Sequence, residues 1–429
     1  MKEQNNTQAS ALPTNATSDL EAWKSYWKSQ GQEWRTEPEI DAKRKKELDD
    51  RRKIVPDIKR GIYPFRGIKL SRADIEWLLA THEDRRGPVV WEEEKDKPEY
   101  DRRTGLDLRG ADLSQVDLAC LPLTCLHGAL DRRNEWSGTT LEQRDLAAVY
   151  LGKTNLYQVH LEGASLARVH LEGSFAFEAH MEYADLFEAH LEGVNLTRAC
   201  LYGASLRRAF FDGASILLNV FLGEQQKGFV RLAGVHWGES DLTIIPWKQL
   251  TILGDEVIAR DRMDFTGKIK DNVKRLEDFK TSVRANRQLA TALRDQGLNE
   301  EADYFAYRAQ QLQRAVWRYE GRWLKYFFSW FLLLLAGYGY RPLRSLFWYL
   351  LTIVGFALAY HALGLLSLFP PDALVYSLTS FHGRGFFPGL EHRTTLHDPL
   401  IMLAAFEAVI GLFIEISFIA TFTQRVFGK

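Results

Sequence analysis

The stretch SLTSFHGRGFFPG, residues 377 to 389, sets Arg384 between Gly383 and Gly385, with Ser380, Phe381 and His382 before it and Phe386 after it. Glycine has no Cβ, so the carbonyls around it can be aimed at an ion, and a guanidinium beside them either draws anions or pairs with a carboxylate. Glu407 and Glu415 are the only acids in the apolar run PLIMLAAFEAVIGLFIEISFIATF, residues 399 to 422. An acid at hydrocarbon depth is costly unless it meets water or a partner, which makes both of them functional candidates. Gly411 stands between them, where glycine weakens a helix by about 1 kcal/mol relative to alanine and permits either a bend or a close packing contact.

These residues need elements to hold them. SLFWYLLTIVGFALAYHALGLLSLF, residues 345 to 369, and the 399 to 422 run are each long enough to cross a hydrocarbon core, since about 20 helical residues suffice. Arg322, Lys325, Arg341 and Arg344 precede the first and Arg425 and Lys429 follow the second, so both outer flanks are expected on the cytoplasmic side and residues 370 to 398 outside. Between them PPDALVYSLTSFHGRGFFPG reads as a short apolar helix followed by a glycine-rich extended stretch, a conformation allowed at membrane depth only where protein or water satisfies its backbone. YFFSWFLLLLA, 326 to 336, is too short to span and reads as a helix in the interface plane; GYGY at 337 to 340 reads as a turn.

The rest of the chain is different in kind. From Leu146 to Ile216 every fifth residue is large and apolar except Ala176, and the residue two before each is small from Val149 to Ala214, with Arg144 the exception. An extended chain turning a corner every five residues buries one large and one small side chain per side. LRGADLSQVDLACLPL, 108 to 123, is an earlier block; 125 to 139 reads as a loop insertion, and GVHWGESDL, 234 to 242, resumes the pattern. Residues 61 to 104 contain LSRADIEWLLATHE, whose Ser71 and Asp74 form a capping-box pair ahead of a helix that would close the open end. Residues 246 to 322 read as a helical linker, broken at Gly297 into an antiparallel pair. Residues 1 to 60 read as a flexible, charged N-terminal region without the apolar core of a signal peptide.

Units such as GADLS and GASLA resemble the pentapeptide-repeat family, which implies a right-handed quadrilateral β-helix of four units per coil. On that fold His160 stacks on His180 and His170 on His190, about 4.8 Å apart. Two imidazoles per face fall short of the three or four ligands zinc takes, so no metal site and no cofactor are expected. Some members of the family imitate DNA. Residues 141 to 220 hold ten acids and six bases, interleaved, which is too little anionic charge for a duplex mimic. The whole chain, 429 residues with a net charge of −1, carries no basic footprint for nucleic acid, and its three cysteines follow no zinc or disulfide spacing. No nucleophile, metal or phosphate-loop constellation marks an enzyme.

Residues 342 to 429 resemble the two-transmembrane pore-loop domain of tetrameric potassium channels, with DALVYSLTSF at 372 to 381 as the pore helix and FEAVIGLF at 406 to 413 as the inner helix. The resemblance implies a membrane-bound homotetramer, multi-pass in the plasma (inner) membrane of a bacterium, conducting inorganic ions, with the β-helix cytoplasmic and open to an unknown protein partner. It places the filter at Ser380 to Phe386, Glu407 behind it, a hinge at Gly411, and Glu415 toward the cavity or gate. The departure is that Phe381, His382, Gly383, Arg384 and Gly385 stand where the family has Thr-Val-Gly-Tyr-Gly, so potassium selectivity does not follow. Arg384 is expected behind the filter, paired with Glu407, in a weakly selective cation channel. The alternatives are an anion-selective ring of four Arg384 side chains and a non-conducting, membrane-anchored scaffold.

Overall fold

The structure, a computed structural model, describes residues 20–97, 102–264, 267–339, 342–362, 370–383 and 399–427. It divides into two compact units, Met1–Lys270 with Arg284–Glu301, and Asp271–Val283 with Ala302–Lys429.

In the first unit the period of five becomes a four-sided coil. His160 bridges His180, Ser165 bridges Asp185, His170 bridges His190 and Phe175 bridges Asn195, all in parallel, so that 20 residues return the chain to the same face. At the corners the Leu161 carbonyl accepts from the Ala164 amide at 3.2 Å, and Gly163, in the second central position of the turn, has φ +66°. That is type II turn geometry, which favours glycine; Arg168, Glu178 and Glu188 occupy the equivalent position of other corners with φ between +55° and +63°. The sides between corners are so short that each ladder is a row of single bridges. The two-stranded sheet among the described residues is a hairpin, β1 (Gly223–Glu224) and β2 (Gly228–Phe229), that leaves the coil and returns. Inside, Leu156, Leu161, Leu171, Met181, Leu186 and Leu196 are fully buried beside Val159, Ala179, Ala184 and Ala199.

Three departures from the expected layout have physical causes. Residues 125 to 130 belong to the coil: His127 bridges both Asp107 and Ser165, and Leu126, Ala129 and Leu130 are buried. Gly128 stands where the pattern wants a large residue, and Leu166 and Val149 fill its place, within 3 Å of where a Cβ would sit. The insertion therefore lies later. Asp112 pairs with Tyr150 at a spacing of 38 rather than 20, and the 18 extra residues include a helix at Leu141–Ala147, so Leu146 is not a repeat position.

The second departure is a slip of one residue. Asn195 pairs with Ile216, 21 residues on, because Asp212 and Ser215 hold a bulge: the Ser215 hydroxyl donates to the Leu191 carbonyl at 3.0 Å and the Asp212 carboxylate accepts from the Gly193 amide at 2.7 Å. Ser215 and Leu217 then point inward, and Ile216, expected in the core, is 43% exposed. Leu217→Ala should therefore cost roughly 2–5 kcal/mol in denaturant unfolding and Ile216→Ala under about 1 kcal/mol. Equal costs would restore the unbroken register.

The third is at the N-terminus, where the described part of the expected flexible region is folded. Helices α1 (Leu20–Ser29) and α2 (Ala42–Arg52) bury Trp23, Trp27 and Leu48. They are tied to α3 (Arg72–Ala80), whose fully buried Glu76 accepts from the amides of Thr36 and Glu37 at 2.9 Å each and from Arg72. The Ser71–Asp74 capping box is present, and Arg72 donates to the Asp117 and Ala119 carbonyls at 3.1 Å, covering one end of the coil. Short helices α4 (His82–Arg85) and α5 (Trp91–Glu94) follow, and the insertion helix is α6 (Leu141–Ala147).

The other end is closed by polar side chains. Asp255 of α7 (Gly254–Arg260) accepts from the Leu232 amide at 2.7 Å. From α8 (Asn272–Asp295), Gln288 accepts from the Gly234 amide at 2.9 Å. Gln296, just past α8, accepts from Leu242 and donates to Ser240, each at 2.7 Å, so backbone groups at the coil's last turns are satisfied.

In the second unit the first half of α8 pairs antiparallel with α9 (Asn299–Tyr319): Lys280 meets Glu320 at 2.7 Å and Phe279 stacks on Tyr319. Then come α10 (Trp323–Ala336), α11 (Pro342–Ala362), α12 (Pro370–Phe381) and α13 (Pro399–Phe427). Leu343–Ala362 and Pro399–Ile419 are long and apolar enough to cross a membrane. Gly337 ends α10 in the left-handed conformation, and residues 337–339 make a single turn, fastened by a 2.7 Å hydrogen bond between Ser329 and Tyr338.

Candidate functional site

Helices α11, α12 and α13 pack around a buried polar cluster. Glu407 of α13 is fully buried. Tyr360 of α11 donates to its Oε2 at 2.7 Å, and Ser377 of α12 hydrogen-bonds its Oε1 while lying 2.8 Å from the Ile353 carbonyl. Both carboxylate oxygens are thus held by hydroxyl groups, where pairing with Arg384 was expected. Arg384, Gly385 and Phe386 lie outside the described residues.

The helix directions follow from these contacts. Tyr360 meets Tyr376 and Glu407, whereas Tyr349, eleven residues earlier on α11, meets Phe381 and His382. Advancing along α12 and α13 therefore means moving back along α11. Helix α12 runs with α13 and against α11, and its 12 residues, about 18 Å, are too few to cross a hydrocarbon core.

Its C-terminal end is seated midway along α13. A Cβ at Gly411 would lie 2.2 Å from the Phe381 carbonyl oxygen, and α13 continues unbroken through this point. Of the two readings of Gly411, the geometry has the close contact rather than the bend. Phe381 and Ser380 are buried, and Gly383 closes α12 with φ +65°, its amide donating to the Ser380 carbonyl at 2.9 Å. Glu415, expected toward a cavity or gate, hydrogen-bonds His382 Nδ1, while His382 Nε2 lies 3.2 Å from the Tyr349 hydroxyl. His382 thereby links α11 to α13. Tyr349, Tyr360 and Ser377 were not singled out in the sequence; the only trace was a polar atom inside each apolar run.

A neighbouring cavity of about 500 Å³, lined by Phe331, Trp348, Gly355, Ile410 and Phe413 among others, is almost wholly apolar and offers nothing to coordinate an ion.

In the first unit the outward faces carry side-chain columns. Tyr150, His170, His190, Phe210 and His236 stack ring on ring with centroids 4.7 to 5.2 Å apart. His160 and His180 stack at 4.7 Å. Glu188 accepts from Arg168 at 2.6 Å and from Arg208 at 2.9 Å, and Arg198 meets Glu178 at 3.0 Å, as the 20-residue return implies. Residues 177–213 match the family model Pentapeptide repeats, in eight copies. This segment is made of pentapeptide repeats.

Solved structures of pentapeptide-repeat proteins are similar to the chain. Rfr23 from the cyanobacterium Cyanothece 51142 is 24% identical, over 31% of this chain and 82% of its own, with a TM-score of 0.15. HetL from Nostoc sp. strain PCC 7120, involved in heterocyst differentiation regulation, is 19% identical over 39% and 86%, with a TM-score of 0.13. QnrB1, a plasmid-mediated fluoroquinolone resistance protein, is 13% identical over 36% and 90%, with a TM-score of 0.12. No curated protein matches the chain.

The electrostatics of the pentapeptide repeats are local. The Glu182 carboxylate, with one oxygen 3.6 Å from Nδ1, holds the His180 imidazole above its ordinary range. Burial pushes the Cys125 and Cys200 thiols up to about 11, so neither is a ready nucleophile. The cysteines are free.

Proposed function

We propose that the chain is one subunit of a tetrameric, pore-loop ion channel in a membrane, conducting cations with weak selectivity, with the pentapeptide repeats on the cytoplasmic side. The observation that carries this reading is the seat of α12: a helix too short to span, running with α13, whose C-terminal end meets Gly411 and Glu415 midway along a helix long enough to cross. A helix placed so aims its negative end at the depth where the glycine-rich sequence after His382 begins, which favours cations there. Ser380 to Phe386 are the proposed filter.

Two spans from one chain cannot enclose a pore, and the surfaces of α10, α11 and α13 support assembly in lipid: Leu324, Leu343, Phe347, Leu358, Met402 and Ile419 are each more than half exposed. Water would not tolerate so large an apolar surface. The protein extracted in mild detergent and weighed by native mass spectrometry should contain four chains, and liposomes holding it should release potassium. A monomer that releases none would leave a membrane-anchored scaffold.

A further inference from the structure

The column His160, His180, Cys200 runs along one face of three successive coils, with Glu162 and Glu182 at the adjoining corners. Two imidazoles alone are too few ligands for a metal ion; the fold adds two carboxylates and a thiol. The donor atoms of His180, Glu182 and Cys200 all lie within 4.8 Å of one another, on backbone that bridging fixes in place.

The partners of this cluster are uneven. Glu162 is satisfied, with one oxygen 2.8 Å from His160 Nδ1 and the other accepting from Thr124 at 3.0 Å. Glu182 has one oxygen 3.6 Å from His180 Nδ1, and its Oε2 is buried with no hydrogen-bond partner. A buried carboxylate oxygen without a donor is unfavourable, so it marks a place that a cation would stabilise. The cations facing the cluster are engaged elsewhere. Lys227 pairs with Glu224 at 2.9 Å and lies over the Tyr202 ring, and Arg198 pairs with Glu178.

We infer that His180, Glu182 and Cys200 form a binding site for a divalent transition-metal ion of the zinc class, with water in the fourth position. One nitrogen, one carboxylate oxygen and one sulfur are a donor set that zinc takes at about 2.0–2.3 Å, and ions bound mainly by oxygen, such as calcium and magnesium, are disfavoured by the thiol. Ligand atoms around a tetrahedral ion with such bonds stand roughly 3.5 Å apart. Side-chain rotation on a fixed backbone is enough to close the remaining gap. Cys200 binds as thiolate and releases its proton to water. The ion staples two adjacent coils, and its open position faces solvent, because His180 and Cys200 are only partly buried.

Cobalt(II) tests this in the full-length protein, since a thiolate ligand gives a near-ultraviolet charge-transfer band that His and Glu alone do not. Metal-stripped protein titrated with cobalt(II) should develop the band and lose it on addition of zinc. Cys120→Ser, at an exposed thiol outside the cluster, should keep the band. Cys200→Ser and His180→Ala should lose it, and Glu182→Gln should weaken cobalt binding at least about tenfold. Far-ultraviolet circular dichroism shows that each variant retains the fold. No band in the wild-type protein, or a band that persists in folded Cys200→Ser, overturns the site.

Discussion

Gly411→Ala should unseat the end of α12. Alanine is the better helix former by about 1 kcal/mol, so on propensity alone the change stabilises α13. Here the added methyl would stand 2.2 Å from the Phe381 carbonyl oxygen and 3.1 Å from the Phe381 ring, and the nearest atom is backbone that cannot swing aside. Overpacking of this kind costs about 1–3 kcal/mol and more when a backbone must move, which outweighs the helix gain. The variant should unfold earlier in detergent, and its ion flux should fall, because Phe381 and His382 belong to the proposed filter. Unchanged stability with only an altered open probability would return Gly411 to the role of hinge.

Removing the Glu407 carboxylate is the second large perturbation. Glu407→Ala leaves the Tyr360 hydroxyl buried without an acceptor, and Tyr360 is itself fully buried. The orphaned group costs about 1–3 kcal/mol, to which the cavity adds. Glu407→Gln should be far milder. Its amide keeps an oxygen for Tyr360 and offers a donor to Ser377, whose own proton then serves the Ile353 carbonyl. Combining Glu407→Ala with Tyr360→Phe should cost less than the sum of the two single changes, with a coupling of about 0.5–3 kcal/mol in a reversible denaturation assay. Additive losses would place the hydroxyl pair outside the stabilising network. A coupling to Arg384→Ala in its place would favour the arginine pair.

The coil was legible because its signal is long: a period of five kept from Leu151 to Phe211 can be satisfied by few folds, and every one of those central positions is buried, the small Ala176 included. The slip at Asp212 was hidden because Ala214, Ser215, Ile216 and Leu217 fit the pattern in either register; only the hydrogen bonds of Asp212 and Ser215 choose between them. Gly128 misled in the opposite sense. Its missing side chain reads as a loop, whereas Leu166 and Val149 from other turns of the coil supply the missing volume.

At the N-terminus the charged run AKRKKELDDRR suggested solvation, and the information that folds it sits in Trp23, Trp27 and the remote Glu76. In the C-terminal unit the acids could be seen but their partners could not. Tyr360 and Ser377 lie 47 and 30 residues from Glu407, and no spacing rule joins them. The same is true of His382 and Glu415, which helix periodicity places in different elements and only packing brings together.

Ion conduction is the central claim, and planar bilayers test it most directly. Purified full-length protein, reconstituted with a potassium chloride gradient across the bilayer, should give unitary currents whose reversal potential lies on the cation side of zero but short of the ideal potassium value. Arg384→Ala should reduce or abolish those currents without turning them to the anion side. Silence from protein shown to be folded and tetrameric, or a reversal near the chloride potential that Arg384→Ala removes, would contradict the account.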